Sequence, residues 1–119
     1  MNIKTENQEQ CEFVSWMKKE HPQHWVYSIP NGANRSRERG RQHKNSGQAN
    51  GVPDLCIPSL FLYIEMKVVG GGRVSPDQRQ WIAHLIAHGY TAVVCEGAEA
   101  AKQTVLRVKK EMEQSDENS

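Results

Sequence analysis

The chain has 119 residues, 37% of them hydrophobic and 24% charged, with 15 basic and 14 acidic side chains for a net charge of +1. That length predicts one domain with a modest core. No apolar run approaches the ~18 residues of a membrane span, and the polar start MNIKTENQEQ argues against a secretory leader. Cys11, Cys56 and Cys95 form no CxxC pair. They argue against a disulfide framework or structural zinc and for a reducing cytosol, with each thiol read as a small buried hydrophobe.

Thr5 followed by Gln8 reads as a capping box that opens a helix running to about Glu20. Phe13, Val14 and Met17 form its apolar face, with Trp16 at the edge, and His21-Pro22 closes it. Trp25 to Ile29 reads as a strand ending at Pro30, and its Trp25 and Tyr27 are read as core rather than as base-stacking platforms. From Asn31 to Asn50 there is no periodicity. Arg35, Arg37, Arg39, Arg41 and Lys44 there face Glu38 alone, an arrangement suited to tracking phosphates. So long a structureless stretch in a small domain is expected to be functional or mobile.

A short strand is predicted over Val52 to Ile57 and a longer one over Leu60 to Val69. In the longer strand Leu60, Leu62, Ile64, Met66 and Val68 share one face, which meets the core. Glu65 and Lys67 stand together on the other, beside Phe61, Tyr63 and Val69. After Gly70-Gly71-Gly72, Ser75-Pro76-Asp77-Gln78 starts a helix, with Ser at the cap, Pro at the first helical position and Gln three on. Trp81, Ile82, Leu85 and Ile86 are its expected buried stripe, and Gly89 its left-handed stop. His84 and His88 have the i, i+4 spacing of a zinc pair but lack an intervening glutamate, and are read as solvated surface. Tyr90 to Cys95 is a further strand. A last helix follows, with Ala101, Val105, Val108 and Met112 on its apolar face and a frayed acidic end from Glu111.

The order is thus αβββαβα, a small mixed sheet flanked by helices. Asp54 leads one predicted strand, and Glu65 and Lys67 share a face of the next. If these strands pair, two carboxylates and an ammonium converge at a sheet edge. Hard oxygen ligands of this kind suit Mg²⁺ or Mn²⁺. A lysine beside such an ion can orient or deprotonate a water for attack on a phosphodiester.

The ordered series GVPD (51–54), IEMK (64–67) and SPDQ (75–78) resembles the PD-(D/E)XK nuclease superfamily, and more narrowly its virus-type replication-repair nuclease (VRR-NUC) family. IPNGANRS (29–36), which holds Asn31, Arg35 and Ser36, and GYTAVVC (89–95) extend the likeness. It implies a restriction-endonuclease-like α/β core. Asp54, Glu65 and the Met66 backbone carbonyl would ligate Mg²⁺ or Mn²⁺, Lys67 would activate the water, and Gln78 would join the site. Because Gln78 is also the N3 member of a capping box, one side chain is not expected to serve both purposes. Family members carry a further ligand glutamate on the first helix. Glu6 fits best, since counting on by seven, eight and eleven reaches Phe13, Val14 and Met17; Glu9 and Glu12 remain alternatives.

The resemblance further implies a metal-dependent endonuclease that recognises DNA by shape, in the manner of a Holliday-junction resolvase acting as a homodimer on four-way junctions. A flap or duplex nuclease and a non-catalytic DNA-binding module are the rivals. The expected setting is the cytoplasm, at the nucleoid, of a bacterial or phage-infected cell, with no membrane partner. Residues 1–113 would form the nuclease domain, with 31–50 its mobile basic loop and 114–119 a disordered acidic tail.

Overall fold

The computed structural model describes residues 3–30, 47 and 49–117. Its elements follow the expected order: helix α1 (Glu6–Glu20), strands β1 (Tyr27–Ser28), β2 (Leu55–Ile57) and β3 (Leu62–Lys67), helix α2 (Pro76–Ala87), strand β4 (Thr91–Glu96) and helix α3 (Gly97–Glu117). The strands lie in sequence order in one mixed sheet, β1, β2 and β3 antiparallel and β4 parallel to β3.

Both predicted capping boxes form. The Thr5 hydroxyl accepts from Gln8 N at 3.1 Å, and the Ser75 hydroxyl accepts from Gln78 N at 3.2 Å. These bonds satisfy N–H groups that a first helical turn cannot pair internally. The core lies on one side of the sheet. Leu62, Ile64 and Met66 of β3 pack there with Phe13 and Met17 of α1 and with Ala101, Val105 and Val108 of α3. On the other side α2 packs against β4.

Several expectations shift. Pro58–Leu60 forms a 3-10 turn ending at Phe61, whose φ of 50° is left-handed, so β3 begins at Leu62 rather than Leu60. Of the expected stripe on α2 only Leu85 is buried; Trp81 and Ile82 are half-buried and Ile86 is 56% exposed. A helix lying over an edge strand presses only a narrow line of side chains onto it. Cys56 and Cys95 are buried, but Cys11 is exposed, because Glu9, Phe13 and Met17 take the inward face of α1. Helix α3 runs on through Glu117, so residues 114–117 are helical rather than a disordered tail. Their Glu, Gln and Asp continue a helix already anchored by packing. Trp25 is 80% and Tyr27 51% exposed, and neither belongs to the core. Most of the basic stretch, residues 31–46 and 48, lies outside the described residues.

Candidate active site

The site forms where β2 and β3 part. Leu55 pairs with Ile64, so Asp54 comes level with Glu65 and Pro53 with Met66. Asp54 Oδ2 accepts the Met66 N–H at 2.9 Å, in place of a main-chain ladder bond. The N–H and C=O of one residue in an antiparallel ladder face the same neighbour. The Met66 carbonyl therefore faces the side of Asp54, where Pro53 has no N–H to give it.

Glu65 is 1% exposed. Its Oε2 accepts from Gln78 Nε2 at 3.0 Å and pairs with Lys67 Nζ at 3.4 Å. Its Oε1 is buried and, among the described residues, without a hydrogen-bond partner. Glu6, at the first turn of α1, joins them: one oxygen each from Glu6, Asp54 and Glu65 lie within 4.8 Å of one another. Burial first, then the Asp54 charge, push the Glu65 carboxyl up to about 8, against the pull of Lys67. The same two causes, in the same order, raise Glu6. A buried carboxylate oxygen with no donor costs on the order of 1–3 kcal/mol. Two things relieve that cost, a proton or a cation. Three carboxylates and a carbonyl are the donor set of a hard divalent ion, so the residues present fit Mg²⁺ or Mn²⁺.

Glycines bring these parts together. Gly51, at φ 87°, lies so close to the first turn of α2 that a Cβ would meet the Asp77 carbonyl carbon at 2.5 Å. This contact ties the GVPD segment to the helix that carries Gln78. A Cβ on Gly72 would meet Lys67 Cβ at 2.5 Å, so the glycine run lies along the lysine stem. Glu96 Oε1 holds the same run by accepting from Gly70 N at 3.0 Å.

The expectation that Gln78 serves only one purpose is wrong. Its Oε1 accepts from Ser75 N at 2.9 Å while its Nε2 reaches Glu65, because the amide offers an acceptor and a donor at opposite corners. Glu9 does not reach the cluster: its buried Oε2 accepts from Ala98 N at 3.0 Å, at the start of α3. Sequence reading missed this role, though a signal existed, since that helix opens on Glu96-Gly97 without a Ser, Thr, Asp or Asn to cap it. Glu12 pairs instead with Lys4 and, at 3.8 Å, with Lys102. His84 and His88 are exposed, with His88 Nδ1 against the His84 carbonyl at 2.8 Å.

A family model, the VRR-NUC domain, matches residues 1–99. The chain belongs to the VRR-NUC family. The family is one of PD-(D/E)XK-type nucleases, so this is a nuclease-type domain with DNA as the implied substrate. A solved structure described as a VRR_NUC domain protein shares the fold, with a TM-score of 0.77 at 23% identity over 92% of each chain. Among curated proteins none matches. No helix among the described residues is long and apolar enough to cross a membrane.

Proposed function

We propose that this VRR-NUC chain is a divalent-metal-dependent, structure-selective endonuclease that hydrolyses DNA phosphodiesters, with four-way junctions as its substrate. One observation carries the reading: a buried Glu65 oxygen that has no hydrogen-bond donor among the described residues, beside Asp54 and Glu6. Asp54, Glu65, Glu6 and the Met66 carbonyl would hold Mg²⁺ or Mn²⁺. When bound, the ion supplies positive charge at the scissile phosphate. Lys67, held as an ammonium by Glu65, would orient the attacking water and offset negative charge developing at the phosphate. Gln78 fixes the Glu65 rotamer. Arg35, Arg37, Arg39, Arg41 and Lys44 serve as phosphate contacts that position the duplex without reading sequence.

A four-way junction has approximate two-fold symmetry and needs paired cuts, which a C₂ homodimer supplies. An aliphatic groove at Val74, Ile82, Ile86 and Val94, with Ile86 and Val94 exposed and the other two half-buried, supports such a dimer. The reading places the chain in the cytoplasm, at the nucleoid.

The test is cleavage of junction, flap and linear duplex DNA at equal concentration, with and without Mg²⁺ or Mn²⁺. Metal-dependent paired cuts in the junction are expected, and they should vanish in Asp54→Ala and Lys67→Ala while DNA binding persists. Preferential cutting of flaps or duplex would reassign the substrate. Equal cutting by both variants, or no cutting by the parent chain, would make the domain a binding module.

A further inference from the structure

A row of aromatic side chains stands on the same sheet face as the acidic cluster. Side chains alternate along a strand, so Tyr63 shares its face with Glu65, two residues on. The register places Cys56 opposite Tyr63 and Tyr27 opposite Cys56, and Asp54 stands two residues before Cys56 on that same face. The row continues the other way through Tyr90, whose ring is 5.5 Å from that of Tyr63 and 6.3 Å from that of Phe61. Trp25 lies just before β1, outside the strand, and is 80% exposed. Helix α2 covers this face over β4 but leaves Tyr27 and Phe61 more than half exposed.

We infer that this row is a stacking platform for unpaired nucleobases, with Trp25 and Tyr27 as its outer rings. The substrate is then branched DNA whose nucleotides are splayed or unpaired at the branch, next to the phosphate that is cut. The inference rests on the nuclease reading and narrows its substrate. Tyr63 lies about 7 Å along β3 from Glu65, so a strand whose phosphate meets the carboxylates brings the neighbouring base to the tyrosine. Exposed flat rings bind any base by its π-face, without reading sequence. A second copy of the chain is the poorer occupant. Seated here it would block the approach of DNA to Asp54 and Glu65, whereas the proposed dimer uses the aliphatic face on α2 and β4.

The experiment uses the full chain in EDTA, so that binding is read without cutting. The probes are a blunt duplex and the same duplex with a single-stranded extension carrying 2-aminopurine next to the junction. Quenching of the 2-aminopurine is expected on binding. In the double variant Trp25→Ala/Tyr27→Ala it should disappear, and affinity for the extended DNA should fall roughly tenfold or more, with blunt-duplex affinity unchanged. Trp25→Phe/Tyr27→Phe should restore both. Equal weakening on the two probes, no weakening, or loss of a dimer by sedimentation in the alanine variant overturns the platform. A parent chain that cuts duplex DNA and treats both probes alike overturns the platform alone. One that binds neither probe and cuts nothing overturns the nuclease reading with it.

Discussion

Gln78 holds Glu65 from a helix end that its own amide completes. The amide nitrogen donates to Glu65 Oε2 at 3.0 Å while the amide oxygen accepts from Ser75 N at 2.9 Å. The cap fixes the orientation of the amide, and the amide fixes the carboxylate. The loop before Asp54 lies against the same helical turn at Gly51. One turn of helix thus sets the distance between two of the three carboxylates.

Replacing Gln78 separates these roles. Gln78→Glu keeps an acceptor for Ser75 N but sets a carboxylate against Glu65. Its thermal stability should change little at low pH, where the new group is protonated, while Mn²⁺ affinity and cutting fall by tenfold or more. Gln78→Ala loses both bonds and should cost about 1–2 kcal/mol of stability as well. Calorimetry beside Mn²⁺ titration checks both variants.

The raised Glu65 carboxyl makes the metal-free protein sensitive to pH. In the unfolded chain the group releases its proton near the ordinary glutamate value of 4.5, whereas in the fold it keeps it to about 8. Between those values the folded state holds one more proton. Its stabilising contribution is complete below about 4.5 and is lost as pH rises through about 8. Glu6 adds a smaller effect of the same sign. His21 and His24, both lowered chiefly by burial, act oppositely near neutral pH. The difference between the parent and Glu65→Gln isolates the site. In EDTA, Glu65→Gln should gain stability relative to the parent as pH rises from 5 to 8, then level off. Mn²⁺ affinity of the parent should rise over the same interval, because binding must displace the proton.

Two glutamates three residues apart on α1 are expected to fail in opposite ways. Glu9 caps α3 from within the core, and a Cβ on Gly97 would run into its carboxylate. Glu9→Ala should therefore destabilise the fold by about 1–3 kcal/mol while the variant, where folded, still binds Mn²⁺. Glu6 is exposed and belongs to the acidic trio. Glu6→Ala should leave the melting temperature unchanged or slightly higher and weaken Mn²⁺ binding. Equal effects from both substitutions would contradict this division.

What the sequence revealed and what it hid divides along the range of the interactions. Asp54, Glu65 and Lys67 were legible because strand alternation and register place side chains by counting. Helical repetition put Glu6 on the face of Phe13, but the same counting left Glu9 and Glu12 open as alternatives. The role of Glu9 was not legible, since its partner Ala98 lies 89 residues away and only packing joins them. The double use of Gln78 was hidden because the motif names the residue and not which corner of the amide points where. Trp25, Tyr27 and Ile86 misled for a common reason: apolar character marks a side chain as worth covering, but the amount of cover depends on how far α2 extends over the sheet.

The glycine run after β3 gives a test of the lysine alone. A Cβ at position 72 would meet Lys67 at its Cβ, Cγ and Cδ, so Gly72→Ala must displace either the loop or the lysine stem. The charge at position 67 is retained, unlike in Lys67→Ala. Stability should fall by no more than about 1 kcal/mol, because the loop is exposed and can yield. Cutting should fall tenfold or more with Mn²⁺ affinity close to that of the parent. Parent-level cutting would mean that the loop had moved and left the lysine where it was.

Self-association should follow the aliphatic face. Ile86 is an exposed isoleucine next to Leu85, the buried residue of its helix, and Val94 lines the same groove from the edge strand. Ile86→Glu places a charge where a dimer would have to desolvate it, a cost of several kcal/mol, yet leaves the monomer's core untouched. Sedimentation should show a dimer for the parent and a monomer for the variant at micromolar concentration. On junction DNA the monomer should still nick single strands while losing the coordinated second cut. A variant that remains dimeric would move the interface elsewhere, and a parent chain that is monomeric while making paired cuts would remove the need for a dimer altogether.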